Sequence, residues 1–436
     1  MYLECGLVIV LISLILYLME SRAHAQERDP MGEEVVTIHL TQWGSLAAER
    51  ETKLFAGPSR NLPTGVYKKP GEAITINVSP TDQKELPRVV ISDPILKDYR
   101  DGNAEGMVLQ PGENVLSMPE GGVVHLINES PPTAEPPVVT IAGGTKLACF
   151  VLGRHTLADW QRMLALYRDV PAIELVGNRV MITAGYETAR DIDDPIRLLQ
   201  YIDEAIAVQD KVSGLDAEDP DPRHRPCPYR QHMRENNSPG TYMYMYYNHT
   251  GYNSAAMKTI LNTQNFTQDG WGPWHELGHT YQQRPWKWDV VGEVTVNIYS
   301  LFVQRHFGNQ SRLEAENYYD KAFAYLQQPT KDFNKIEDHF VKLVMFWQLA
   351  LAFGDDFYPQ LHRVYREMPP WQHPTNDHGK IQTFIIISSQ VAGVNLSPFF
   401  EMWGLAPDKA TKEQIHHLPV LARPLWKLRD RNVQEF

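Results

Sequence analysis

Cysteine is nearly missing: three residues in a chain of 436 cannot build a disulfide framework. Positive charge is also short, with 41 Lys+Arg against 53 Asp+Glu and a net charge of −12. That balance argues against nucleic-acid binding, which needs basic surface to replace the counterions around phosphate. No internal repeat and no low-complexity tract is present, so solenoids and disordered scaffolds are set aside. Nor is there a comfortable membrane span. The one long apolar run, residues 6–19 (GLVIVLISLILYLM), is shorter than the about 20 residues that cross a bilayer.

That run is followed by Ala23-His24-Ala25, a small-x-small cleavage site. Residues 1–25 therefore read as a cleaved secretory signal, which sends the mature chain out of the cell, to a periplasm or to a cell surface. No stable membrane span then remains. Glu4 stands before the run where Lys or Arg is usual, which keeps an uncleaved anchor as the alternative. Cleavage leaves Cys149 and Cys227, a pair that an oxidising compartment would permit to join.

What is present is a globular composition, 43% hydrophobic, in two textures. Residues 26–150 carry short apolar runs at 35–40, 73–78, 89–92, 122–127 and 138–141, punctuated by Pro70-Gly71 and Pro111-Gly112. Short strands at that spacing predict a β-rich, sandwich-like module. Residues 151–436 are mainly helical in pattern. Thr156 and Asp194 read as N-caps, residues 172–182 as two strands about Gly177-Asn178, and 241–247 (TYMYMYY) as an alternating strand. Helices are expected over 273–283, 291–305, 314–327, 338–352 and 357–367. The fold class is α+β, with the sandwich-like module preceding a mainly helical domain.

Chemistry concentrates in residues 271–299 (WGPWHELGHTYQQRPWKWDVVGEVTVNIY). His275-Glu276-Leu277-Gly278-His279 is HExxH, and on a helix positions i and i+4 share a face. Both imidazoles then reach one zinc ion, and Glu276 is placed to act as general base rather than ligand. Gln282 and Pro285 stand where a metzincin has Gly and His, which excludes that subclass. A third ligand must come from elsewhere. Glu293 opens an otherwise apolar helix and is favoured over Asp289 in the preceding loop. Asn297, one turn beyond Glu293, is suited to orient the ligand set from a second layer.

These stretches resemble the enhancin-like, mucin-degrading metallopeptidases of the peptidase M60 family, gluzincins with HExxH and a downstream glutamate. The similarity extends over 65–78, 112–128, 150–160, 272–283, 292–300 and 342–366. It implies one zinc ion on His275, His279 and Glu293, Glu276 as general base, and O-glycosylated mucin-type proteins as substrates.

Several residues remain as candidates for substrate contact. Tyr244 and Tyr246 lie on the alternating strand, which either forms a substrate-binding sheet edge or packs in a core. Trp271, Trp274, Trp286 and Trp288 cluster about the zinc motif, where exposed rings would suit sugars and buried ones would be core. His362, Tyr365, His373 and His378 are candidate oxyanion donors. Two other readings compete: a catalytically silent glycan-binding or adhesive protein on a peptidase fold, and a gluzincin acting on unglycosylated peptides.

Overall fold

In a computed structural model that describes residues 35–132 and 135–435, the apolar runs of the first third become two antiparallel sheets. The segment holding the expected signal, residues 1–25, lies outside the described residues. One sheet has the order Val35–His39, Val138–Ala142, Ala73–Val78, Gly112–Ser117. The other runs Thr145–Lys146, Leu62–Lys68, Gly122–Ile127, Arg88–Ser92, Met107–Val108. Alternation along Ala73–Val78 sends Ile74, Ile76 and Val78 inward, where they meet Val66, Val89, Val124 and Leu126 of the facing sheet. This is a sandwich: two faces closed over one apolar layer.

A third sheet begins at Ala148–Val151 and was not visible as a unit in the pattern. It continues through Ala172–Val176, Val180–Gly185, Gln231–Asn236 and His249–Tyr252 to the edge strand Met243–Tyr246. Ile95–Leu96, from the first third of the chain, pairs in parallel with Gln231–Asn236. The sheet is mixed, with antiparallel hairpins at Ala172–Gly185 and Met243–Tyr252 and parallel pairing elsewhere. Helices Leu157–Leu166 and Pro195–Val212 pack on it. Both start where local chemistry says they should: Thr156 and Asp159 form a reciprocal capping box, and Asp194 accepts from the Arg197 amide.

The chain then becomes helical. The HExxH helix spans Trp271–His279 and lies against Gly292–His306 and the edge strand. It ends four residues before the expected 283, and the residues released form a turn into the short 3-10 segment Arg284–Trp286. The expected helix over 314–327 is divided into Arg312–Ala315 and Tyr318–Leu326, because Asn317 adopts a left-handed conformation (φ 58°). Helices His339–Phe353, Phe357–Glu367, Asp377–Ala392, Ser397–Met402 and Lys409–Ile415 complete a large apolar cluster behind the site.

Candidate metal centre

Burial decides which face of the HExxH helix looks outward. Trp274, Leu277 and Gly278 are buried, whereas His275 and His279 keep 17% and 16% of their side-chain surface exposed. The helix is held from below by Gln209, whose Nε2 donates to the Trp274 carbonyl at 2.8 Å. Gln231 Nε2 donates to Thr280 Oγ1 at 2.9 Å and ties its end to the third sheet.

Gly278 sets the distance to the neighbouring helix. A Cβ there would lie 3.1 Å from the Val296 carbonyl oxygen and 3.3 Å from Tyr299 Cβ. The two helices therefore approach closely enough for Glu293 to reach across. Its Oε2 lies 3.1 Å from His275 Nε2 and 3.4 Å from His279 Nε2, and the two Nε2 atoms are 3.1 Å apart. Among the described residues this is the one grouping of three or more His, Cys, Asp or Glu ligand atoms within mutual reach. A tetrahedral ion with bonds of about 2.0–2.1 Å spans about 3.3–3.4 Å between ligand atoms, so the triangle fits one face of such a polyhedron.

The tautomers follow from the hydrogen-bond network. Asn297 Nδ2 donates to the Glu293 carbonyl at 2.9 Å, which turns its Oδ1 toward His275 Nδ1 at 2.7 Å. Gln282 Nε2 donates to the Gly292 carbonyl (2.7 Å) and to Thr295 Oγ1 (2.8 Å), which turns its Oε1 toward His279 Nδ1 at 2.8 Å. Each Nδ1 therefore donates its proton, and each Nε2 faces the common point, where it can hold either a proton shared with Glu293 or a metal. Asn297 sits where helical spacing puts it. Gln282 was used in the sequence only to exclude a metzincin. It lies three residues beyond His279, in the turn that follows the helix.

Charge is arranged to match. Hydrogen bonds from His275 and His279 hold the Glu293 carboxyl well below the usual carboxylate range. Glu276 is 8% exposed, and burial pushes its carboxyl upward against the opposing pull of the two imidazoles. Burial disfavours the charge on His275, but its bonds to Glu293 and Asn297 outweigh this and raise its affinity for a proton.

Other candidates fall into different places. Asp289 lies in a 3-10 turn, its amide donating to Asp377, outside the converging group. Trp274, Trp286 and Trp288 are each 1% exposed and belong to the core, so the structure removes them as sugar-stacking surfaces. Their indole planes fill gaps between helices, the ordinary use of so large an apolar area. Trp271 is half-buried, with Arg312 stacked 4.9 Å from its ring, so it too is a packing residue. Tyr244 points inward: its hydroxyl meets Asn236 Nδ2 (2.6 Å) and His249 Nε2 (2.9 Å). Tyr246 faces a separate cavity. Of the oxyanion candidates, His362 is fully buried between the Tyr358 carbonyl and the Tyr299 hydroxyl, and Tyr365 is buried as well. His373 Nε2 lies 3.3 Å from the Tyr365 carbonyl oxygen, and His378 pairs with Asp408. Cys149 and Cys227 are free thiols in separate clusters, which corrects the pairing allowed above.

Comparison with known proteins places this arrangement in a lineage. A family model described as peptidase M60, enhancin and enhancin-like, matches residues 143–404, and one for the N-terminal domain of M60-like peptidases matches 49–142. Human TRPM8 channel-associated factor 2 is 26% identical over 381 residues, which cover 82% of this chain and 39% of that protein. The chain thus spans well under half the length of that curated relative. A functionally unknown conserved protein from Bacillus anthracis shares 40% identity at a TM-score of 0.85, over 91% of this chain and 82% of the other. The M60 catalytic domain of Clostridium perfringens ZmpC, solved with the sialyl T antigen, superposes at a TM-score of 0.78 with 18% identity, over 91% and 82%. That likeness is one of fold.

Proposed function

Since the chain belongs to the peptidase M60, enhancin and enhancin-like family, we propose that it is a secreted zinc endopeptidase that cleaves O-glycosylated, mucin-like polypeptides. The observation that carries this reading is the convergence of His275, His279 and Glu293, with both imidazoles locked by Asn297 and Gln282. Two neutral imidazoles and a carboxylate form the donor set of a catalytic zinc site with one position left for water. Bound there, zinc supplies an activated water at neutral pH and polarises the scissile carbonyl.

The remaining work belongs to the chain itself. Glu276, buried beside the histidines, has a carboxylate whose raised proton affinity suits it to take a proton from the attacking water. The same carboxyl oxygen then gives that proton to the leaving amine nitrogen. Substrate aligns as an added antiparallel strand along Met243–Tyr246, the edge of the third sheet next to the HExxH helix. Tyr244 braces that strand from behind, its ring lying over Gly251 and its hydroxyl held by Asn236. Similar folds solved with the sialyl T and Tn antigens support a glycoprotein substrate.

A second reading, a non-hydrolytic binding protein, draws on the curated relatives, whose names record association with a channel. The intact set of His275, Glu276, His279 and Glu293 favours hydrolysis. The test is to incubate the mature protein and a Glu276→Ala variant with mucin and with deglycosylated mucin, each with and without chelator. Cleavage of intact mucin by the wild type alone, abolished by chelator, is the expected result. Glycan binding without cleavage would establish the binding reading, and equal cleavage of both substrates would establish a general peptidase.

A further inference from the structure

Between the sandwich and the edge strand lies a cavity of about 890 Å³, within the range of small-ligand sites. It is separate from the metal centre. Arg50, Arg60, Lys84, Arg88 and Arg100 line it, against the carboxylates Glu85, Glu105 and Glu129. A cationic excess in a chain of net charge −12 is a local departure that needs a cause.

The cations are unequally compensated. Arg60 is satisfied, with Glu129 at 3.1 Å and Glu105 at 2.7 Å. Glu105 is 74% exposed and also serves Arg88 at 3.4 Å, so it is a shared counter-ion at the rim and easily displaced. Arg50 pairs with no carboxylate among the described residues. Its Nη2 donates to the Pro58 carbonyl at 3.3 Å, and its Nε is buried with no partner among the described residues. Burial and the neighbouring Arg60 both disfavour the charge on Arg50, so an anion arriving there would relieve a standing cost. Lys84 is exposed and makes no ion pair among the described residues.

Aromatic surface completes the lining. Tyr246 and Tyr247 stand on the cavity wall with ring centroids 4.9 Å apart, and Tyr247 is 62% exposed. Tyr247 is held outward by a left-handed backbone (φ 48°), a conformation that a tyrosine adopts at a cost. Flat rings beside guanidinium groups suit a pyranose that carries an acid, more than an acidic peptide.

We propose that this cavity is a subsite for an anionic sugar, one carrying a carboxylate or a sulfate, with Arg50 and Lys84 as its charge contacts and Tyr247 as its ring contact. The direction of the edge strand assigns its place in the substrate. Met243 lies against Gly272 at the start of the HExxH helix, and Tyr246 to Asn248 open into the cavity at the strand's other end. A peptide running antiparallel to that strand carries its earlier residues toward the cavity. The acidic sugar is therefore borne N-terminal to the cleaved bond. This placement rests on the peptidase reading above, whereas the binding of the sugar does not.

Calorimetric titration of the full mature chain with sialyllactose, with a lactose sulfate and with plain lactose tests it directly. At least one acidic sugar is expected to bind, and the tighter of the two identifies carboxylate or sulfate as the natural group. Lactose should bind at least about tenfold more weakly, as loss of a charge-assisted contact implies. Arg50→Gln should weaken the acidic sugar similarly. Lys84→Glu, on an exposed residue, should do so without risk to the fold. Equal binding of lactose, binding unchanged in both variants, no binding of either acidic sugar, or preference for a poly-glutamate peptide would each overturn the proposal. Failure of mucin cleavage with sugar binding retained would sink only the peptidase reading. Cleavage indifferent to both variants, with no sugar bound, would sink only the subsite.

Discussion

Two side-chain amides decide where the imidazole protons sit, and this is the finest level at which the site is built. Asn297 and Gln282 each spend their NH2 groups on a backbone carbonyl of the Gly292–His306 helix region, leaving an oxygen that can only accept. The histidines answer with Nδ1–H, and their Nε2 atoms are left as donors to a metal. Replacing either amide frees the ring to rotate or change tautomer. Asn297→Ala and Gln282→Ala are each expected to lower zinc affinity by about 10- to 100-fold, measured by competition with a chromophoric chelator. Glu276→Gln should behave differently: zinc content stays at the wild-type level while kcat falls by about 10²–10⁴-fold. Loss of zinc in that variant would show that Glu276 is part of the ligand set.

Between residue and molecule stands the pair of helices that brings the ligands together. Trp271–His279 contributes two of them and Gly292–His306 the third, so their spacing determines whether the triangle closes. Gly278 is the contact point, with the Val296 carbonyl, Val296 Cγ2 and Tyr299 Cβ all within 3.3 Å of where a Cβ would stand. Gly278→Val must push the helices apart. A loss of about 1–3 kcal/mol in stability is expected from the overpacking, together with a fall in zinc stoichiometry. Unfolding in denaturant and metal analysis of the same sample check both. Full zinc content in the variant would mean that the helices do not set the ligand spacing. A smaller device acts at the other end of the helix: it stops at His279, so that the turn beyond it carries Gln282 back beneath His279.

At the scale of the whole molecule, the seams between the sheets and the helical layer hold buried imidazoles. His125 on the sandwich meets Glu174 of the third sheet at 2.7 Å, both fully buried, and Thr183 links that carboxylate to His232. Burial lowers His249 and His362 to about 3, and His232 lies well below its ordinary value for the same reason. These groups are neutral in the folded chain and take up a proton only on unfolding. The unfolded state therefore binds more protons below pH about 6.5, and stability must fall as pH drops through that value. Each fully suppressed imidazole is worth about 2 kcal/mol between neutrality and pH about 5. The thermal midpoint of the protein in chelator should thus be lower at acid than at neutral pH. A His362→Gln variant should show a shallower slope. A midpoint flat over that interval would mean that these rings are already reachable by protons in the folded state.

How much of this the chain announces in its order of residues depends on the range of the physics involved. Helical periodicity is local, so the shared face of His275 and His279, the turn from Glu293 to Asn297 and the caps at Thr156 and Asp194 were all legible. Strand alternation is local too, and Ala73–Val78 and Gly122–Ile127 emerge with the limits their patterns suggest. Gln231–Asn236 escaped because it reads QHMREN, a polar run, yet every residue of it is buried. Only pairing on both sides and partners from the sandwich make that burial tolerable. The tryptophans around the zinc motif show the same limit. Composition placed them near the site, and packing alone decided that three of them face inward. The sequence by itself therefore determined the chemistry available, a HExxH helix and a carboxylate to complete it. The tertiary structure decided what that chemistry faces: which ring Asn297 reaches across the helix pair, which aromatics are core, and where cations from the sandwich meet the edge strand. Those are contacts between residues far apart in the chain, and no period within a single element encodes them.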